Sequence, residues 1–414
     1  MDATRTSAIP GGTGHRDVRR NNLEVVLRHL SVVGPDSRAS IAERSGLTRS
    51  TVSRLVTELI DLGLVRETGA HRAHATGRPA TALELDGRHV LAIGAEVNVD
   101  YLAVLVTDLA KREIYQRRKA FDAGEAGPER GVTELAALCR QALDTLAERP
   151  HPRPTVVAGL TVAVPGLVDV HAGTVLFAPN LRWTDFPAAS RLRELLALGP
   201  APVSIGNDAN LAAMAEYHVG VHAGVPDLVY ITGEVGIGGG VVVEGNPLLG
   251  ARGLGGEVGH MKLDPNGPEC GCGRRGCWEA MIGLRAVLRA LDQRDEDDRQ
   301  PPEAKVAVIA NQARAGDPST LNVLADVGRW IGIGAANLVN IFNPSAIILG
   351  GYFTILGDWI LPSATRTLAE GTLAHNAGGC VLTTSSLGFT AAARGGAIHA
   401  AEQIVSRPTL LAGA

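Results

Sequence analysis

EVGHMKLDPNGPECGCGRRGCWE, from Glu257 to Glu279, is the stretch on which the reading of this chain turns. Cys270, Cys272 and Cys277 are three of its five cysteines, and His260 lies just upstream. A Cys3His set closes a tetrahedral shell around zinc, with sulfur at about 2.3 Å and nitrogen at about 2.0 Å. Gly271, Gly273 and Gly276 let a short loop double back so that the sulfurs converge. Four protein ligands leave no open coordination position, so the expected Zn2+ is structural and does no chemistry itself. Glu257, His260 and Glu279 are the polar groups that such a brace would hold in place.

Composition bounds the rest. A chain of 414 residues exceeds one ordinary core, so two or three domains are expected. Apolar content of 45% and charged content of 20% are those of a soluble globular protein. No apolar run reaches the roughly 18 residues that a membrane span needs. The first residues, MDATRTSAIPGGTGHRD, lack the apolar centre of a secretory signal. Five cysteines, an odd number with three crowded together, do not make a disulfide ladder, and they point to a reducing cytoplasm. Residues 1–80 hold 12 Lys and Arg against 8 Asp and Glu, and the remainder carries a net −8. A mildly basic head on an acidic body hints at a polyanionic partner.

Residues 1–16 read as a disordered tail. From Asp17, Leu23, Val26, Leu27 and Leu30 follow helical spacing until Gly34-Pro35 stops it. A second helix over 38–45 would bury Ile41 and Ala42, Gly46 would turn the chain, and Leu47 would plug inward. Thr48 would then cap a third helix with Val52, Leu55, Val56, Leu59 and Ile60 inward. This is a helix-turn-helix pattern, and the third helix presents Arg49, Ser50, Thr51, Ser53, Arg54 and Thr57 outward, where base edges are read. Two short strands around a basic loop make a wing over the rest of 17–86, with Arg78 at its Gly-Arg-Pro tip. A small helical dimerisation module with a polar outer face is the plainer reading; pattern, turn and wing together favour DNA binding.

After Gly87 the texture becomes α/β. HVLAIGAEV, LAVLVTDL, EIYQRRKAFD and VVAGLTVAV read as strands, with an amphipathic helix over 134–148 between the third and fourth. APVSIGNDAN is a strand leading into a helix whose first turn holds Asn207 and Asp208. LVYITGEVGIGGGVVVEG is a hairpin, Asp317-Pro318 opens a long helix, SAIILGG is a strand, and 390–406 is a final helix. Taken singly, Asp208 reads as a helix cap, Asn180 as a turn residue after Pro179, and Glu257 and Glu279 as surface charges. Cys139 and Cys380 read as inert core thiols.

In their order, Pro165-Gly166, PNLRW (179–183), NDAN (207–210), GIGGG (236–240), GGEVGHM (255–261), CGCGRRGCWE (270–279) and LGG (349–351) resemble the ROK family of repressors, open reading frames and sugar kinases, and within it the xylose-repressor-like regulators. The resemblance covers roughly residues 88–402, and the cysteine loop after ExGH is its most specific part. It implies an actin-like, ribonuclease-H-like domain of two lobes, 87–204 with 390–406 and 205–389, behind the winged helix-turn-helix. It also implies a sugar site in the cleft: Asn180, Asn207 and Asp208 as hydroxyl contacts, with Glu257, His260 and Glu279 completing it. Amides and carboxylates at several angles discriminate hydroxyl stereochemistry, and an imidazole can ligate metal through one nitrogen while the other meets a hydroxyl.

Where the family's kinases carry Asp-x-Gly-Gly-Thr-Lys, this chain has Glu96-Val97-Asn98-Val99-Asp100-Tyr101. Ahead of Gly236, Glu234-Val235 replaces Gly-Thr. Bare backbone is lost and negative charge added where a polyphosphate would sit. The expectation is therefore a sugar-responsive repressor, acting as a homodimer or homotetramer on operator DNA, with a monosaccharide or its derivative as effector. The alternatives are an active ATP-dependent sugar kinase carrying a DNA-binding head, with Asp208 as catalytic base, and a constitutive DNA-binding protein whose pocket is dead.

Overall fold

The computed structural model describes residues 15–71, 80–148, 155–234, 236–251, 253–292, 302–373 and 379–408. The expected tail, apart from its last two residues, lies outside this range, as do Arg78 and Val235. Two compact units emerge: residues up to Val90 with those from Glu402 onward, and Leu91–Ala401.

The head is built from α1 (His15–Val33), β1 (Asp36–Ser37), α2 (Arg38–Ser45), α3 (Arg49–Asp61), β2 (Val65–His71) and β3 (Ala80–Leu85). Leu23, Val26, Leu27 and Leu30 are buried on α1, as their spacing requires. The Ser37 hydroxyl caps α2 by accepting from the Ser40 amide, and Gly46 leaves it at a φ of 71° that favours glycine. The Thr48 hydroxyl caps α3 by accepting from the Thr51 amide at 3.2 Å. Val52, Leu55, Val56 and Leu59 are buried beneath it, whereas Ile60 and Leu47 are only half-buried. The strands pair antiparallel in the order β1-β3-β2, giving the wing its base.

The larger unit holds two five-stranded sheets. The first lobe comprises β4 (Val90–Val97), β5 (Tyr101–Thr107), β6 (Glu113–Ala120), α4 (Ala123–Ala126), α5 (Pro128–Ala147), β7 (Val156–Val164), β8 (Leu167–Asp169), β9 (Thr174–Ala178), β10 (Trp183–Phe186), α6 (Ala188–Leu196) and β11 (Val203–Asn207). Its sheet runs β11-β7-β4-β5-β6, with β11 parallel to β7 and the β4–β5–β6 meander antiparallel. The apolar runs of β4 and β7 follow from burial on both faces. The expected lobe division at 204/205 falls inside β11, which stays whole in the first sheet through its pairing with β7. A small β10-β9-β8 sheet, absent from the sequence reading, carries Pro179 and Asn180 in its last turn.

Next comes α7 (Asp208–Val219), followed by β12 (Leu228–Gly233), β13 (Ile237–Val243), β14 (Asn246–Pro247), α8 (Glu279–Ile282), α9 (Leu284–Ala290), α10 (Pro302–Arg314), α11 (Pro318–Phe342), β15 (Ala346–Gly351), α12 (Phe353–Gly371), β16 (Val381–Thr384) and α13 (Ala391–Ser406). The second sheet runs β14-β13-β12-β15-β16, with β12, β15 and β16 parallel and β13 reversed. Trp278 is fully buried in the core of this lobe, and its indole N–H donates to the Trp330 carbonyl at 2.8 Å. α7 lies on the β12–β13 hairpin because Gly240 has no side chain: a Cβ there would sit 2.4 Å from the Ala209 carbonyl oxygen.

Candidate functional site

Cys270, Cys272, Cys277 and His260 come together, with all four donor atoms within 4.8 Å of one another. The chain achieves this by pairing Lys262 with Cys277 and Glu269 with Arg275, and by turning through Gly273 and Gly276. Gly276 is obligatory there, since a Cβ would lie 1.5 Å from the Asp264 carbonyl oxygen at a φ of 73°. Two thiolates at about 2.3 Å from one tetrahedral ion stand roughly 3.7 Å apart. Cys272 Sγ and Cys277 Sγ are separated by 3.7 Å, and Cys270 Sγ lies 3.8 Å from His260 Nδ1. The donor set and its spacing fit zinc. Burial pushes the Cys270 thiol up to about 12, with Glu279 adding to it, whereas at Cys272 burial is outweighed by hydrogen bonds from the Arg274 amide and the neighbouring thiols, which lower it. Outside this cluster, Cys139 is buried and pushed up to about 12 by burial, while Cys380 is only half-buried.

With Nδ1 toward the cysteines, His260 has Nε2 to offer elsewhere. Beside it, Glu279 Oε2 accepts from the Ile237 amide at 3.0 Å. A Cβ on Gly236 would lie 2.5 Å from that oxygen and 3.9 Å from Asn180 Nδ2, so Asn180 of the first lobe faces Glu279 of the second. Asp208 opens α7, and its Oδ1 accepts from the Ala209 amide at 2.8 Å. Burial, helped by repulsion from Glu257, pushes its carboxyl up to about 6. Glu257 is also raised, by partial loss of solvent, with His260 opposing and Glu279 adding to the shift.

Asn207, also an expected hydroxyl contact, makes two hydrogen bonds within the fold. Its Oδ1 caps α7 by accepting from the Asn210 amide at 3.0 Å, and its Nδ2 donates to the Gly166 carbonyl at 3.1 Å. These bonds join the Pro165-Gly166 turn to the helix that bears Asp208 and use one of the amide's two hydrogens and one of its two acceptor lone pairs. A cavity of about 500 Å³ opens beside the site, walled by Asn180, Glu234, Asp100, Asp122, Arg285 and Lys305 among others. Of the six expected sugar contacts its walls include Asn180. Glu96 and Glu234, from the two altered loops, meet through Asn98 and Tyr101, a convergence the sequence reading missed because the loops lie 136 residues apart.

On the head, Arg49, Ser50, Ser53, Arg54 and Thr57 are exposed on one side of α3, which is consistent with a groove-reading face. Thr51 is half-buried, and its hydroxyl lies 2.8 Å from that of Thr48. It therefore serves the helix cap. Thr57 donates its hydroxyl back to the Ser53 carbonyl at 3.0 Å.

Residues 92–403 match the ROK family, and residues 25–74 match the MarR family. The xylose repressor of Bacillus subtilis (strain 168) is 31% identical over 380 residues, covering 91% of this chain and 94% of that protein. A crystal structure of a ROK family transcriptional regulator, a homologue of the E. coli MLC protein, superposes with a TM-score of 0.75 at 25% identity, covering 95% and 98% of the two chains. A ROK family glucokinase from Streptomyces griseus, in complex with glucose and AMPPNP, gives a TM-score of 0.61 at 29% identity over 74% of this chain and 98% of that one. With a helix-turn-helix head before an actin-like α/β body, and with its family motifs in order from 92 to 403, this chain belongs to the ROK family.

Proposed function

We propose that this chain is a sugar-responsive transcriptional repressor. One observation carries the reading: the same chain holds an exposed Arg49–Arg54 helix face on a winged head and a group of amide and carboxylate side chains beside a Cys3His loop. The head binds operator DNA as a dimer, reading an inverted repeat with half-sites one helical turn or a multiple apart. Asn180, Asn207, Asp208, Glu257, His260 and Glu279 take a monosaccharide, with Asn207 also holding the helix that presents Asp208. Zn2+ held by His260, Cys270, Cys272 and Cys277 fixes the imidazole tautomer and orientation. Effector binding alters the lobe angle and so the operator affinity, and a coupling of about 1–3 kcal/mol suffices to induce. The relative named xylose repressor makes a pentose the first candidate. No helix among the described residues is long and apolar enough to cross a membrane, and we place the protein in the cytoplasm with its DNA.

The test is selection of an operator from a random DNA pool, followed by titration of the complex against a monosaccharide panel that includes xylose, glucose and N-acetylglucosamine with their phosphates. Release by one sugar at micromolar to millimolar levels is expected. Unchanged operator binding with every sugar, alongside no thermal shift, would point to a constitutive DNA-binding protein. Asp208 keeps a second reading alive, since its raised carboxyl is suited to accept a hydroxyl proton at neutral pH. Sugar-dependent ADP release abolished in Asp208→Asn would establish a kinase.

A further inference from the structure

The two altered loops make one hydrogen-bonded cluster across the cleft. Asn98 Nδ2 lies 3.1 Å from Glu96 Oε1 and 2.5 Å from Glu234 Oε2. The Tyr101 hydroxyl lies 2.7 Å from Glu96 Oε1 and 3.0 Å from Glu234 Oε2. Glu96, Asn98 and Tyr101 belong to the β4–β5 hairpin of the first lobe, and Glu234 to the β12–β13 turn of the second. Glu96 is 1% exposed, and its Oε2 is buried without a partner.

Counting hydrogens gives a constraint. Asn98 Nδ2 also lies 3.1 Å from the Tyr101 hydroxyl, and these five contacts share the two hydrogens of a primary amide and the one of a phenol; the two oxygen–oxygen contacts of Tyr101 alone need two, so a fourth hydrogen is required. The Asn98 orientation is fixed, because its Oδ1 accepts from the Val99 amide at 2.7 Å. The fourth proton must therefore reside on Glu96 or Glu234. With both ionised, Tyr101 would set a lone pair against a carboxylate oxygen in a buried place, at substantial cost. The surroundings agree. From α7, Asp208 repels both carboxyls, and from β12, Tyr230 brings no charge; the cation facing them is Arg118 of β6, stacked 3.5 Å over the Tyr101 ring and ion-paired to Glu303 of α10. Burial pushes Glu96 up to about 7 and raises Glu234 well above the ordinary carboxyl range.

We infer that Glu96, Asn98, Tyr101 and Glu234 form a one-proton clamp that ties the lobes together where kinases of this family hold phosphate, and that this clamp sets the specificity of the cleft against nucleoside triphosphate. The side chains fill space that bare glycine backbone would leave open, and their carboxyls repel a polyanion. Losing the shared proton leaves two carboxylates facing each other across the cleft with Asp208 nearby, which drives the lobes apart. The inference stands on these four side chains whether or not the cleft takes a sugar.

The test uses the full-length protein. Infrared spectra of wild type at neutral pH should show a protonated-carboxyl C=O band that disappears in both Glu96→Gln and Glu234→Gln and survives in Asp208→Asn. Hydrogen exchange of the β12–β13 turn, relative to intrinsic rates, should lose protection by up to about tenfold per pH unit as the band titrates. In Glu234→Gln, whose amide can supply the fourth hydrogen, that protection should be flat with pH. Mg-ATP, followed with a fluorescent analogue, should not bind wild type. Absence of the band, its persistence in both Gln variants, pH-independent protection in wild type, or saturable Mg-ATP binding would overturn the proposal.

Discussion

The Ile237 amide donates to Glu279 Oε2 at 3.0 Å, and the other carboxyl oxygen of Glu279 lies 3.4 Å from Cys270 Sγ. One side chain thus spans from the start of β13 to the cysteine loop. Its role is partly structural: it is a strut between the metal loop and the glycine-rich hairpin, with less of its hydrogen-bonding capacity left for a sugar than the motif alone implies.

That strut gives the first prediction. Glu279→Ala leaves all four metal donors in place and removes a carboxylate that disfavours the Cys270 thiolate, so zinc should be retained while the Ile237 amide loses its partner. Competition with a chromophoric chelator reads this directly. Cys270→Ser should abolish stoichiometric zinc, measured by elemental analysis, and remove sugar response with it. A variant lacking zinc but fully responsive would disprove the bracing argument.

Operator recognition gives the second. Arg49→Ala and Arg54→Ala should each cost about 1–3 kcal/mol on the selected operator if they read bases. Binding measured against random competitor DNA separates this from a phosphate contact, for which both affinities fall equally. Thr48→Ala should act differently, costing about 1 kcal/mol of head stability through the lost α3 cap, readable by thermal melting.

The buried carboxyls give the third. Asp208 titrates near 6 and Glu96 near 7 in the folded chain, both above the ordinary values of 3.8 and 4.5. Between those limits the folded state holds more protons than the unfolded one, so stability falls as pH rises. Their stabilising contribution is complete below pH ~4 and falls away as pH rises through about 6 for Asp208 and about 7 for Glu96. Melting temperature against pH should therefore slope downward across this window, and Asp208→Asn should flatten its acidic half. An upward slope there would contradict the assignment.

Packing under the effector helix gives the fourth. In Gly240→Ala the new methyl meets the Ala209 carbonyl oxygen and Ala213 Cβ, at 2.4 and 2.7 Å before relaxation. Backbone cannot yield as a side-chain tip does, so α7 must lift. A stability loss of about 1–3 kcal/mol is expected by chemical denaturation, with sugar response impaired and the head's nonspecific DNA affinity unchanged.

The sequence announced what local pattern encodes. Ser37 and Gly46 bound α2, and the run from Val156 to Val164 is a strand because both its faces are covered. The four metal donors were legible because three lie in one turn and the fourth ten residues before them. Asn180 was legible as a residue but not as a position: β8, β9 and β10 have three to five residues each, too short for alternation to register. Asn207 matched a sugar-binding motif, and its bonds to the Asn210 amide and the Gly166 carbonyl are a structural use that no spacing rule foretells. The Glu96–Glu234 cluster was hidden because its halves meet only when two sheets face each other.

β11 ends at Asn207, paired with Val164 in the first sheet, and the next residue opens α7, which packs along β12 and β13 of the second. The Asn207–Asp208 peptide is therefore the junction between the two sheets. A rotation of one lobe about this junction would move Asp208 least. The far ends of the lobes travel in proportion to their distance from the pivot. On the proposed function, an effector bound at Asp208 would need to bias only an angle, which the length of the lobes converts into displacement.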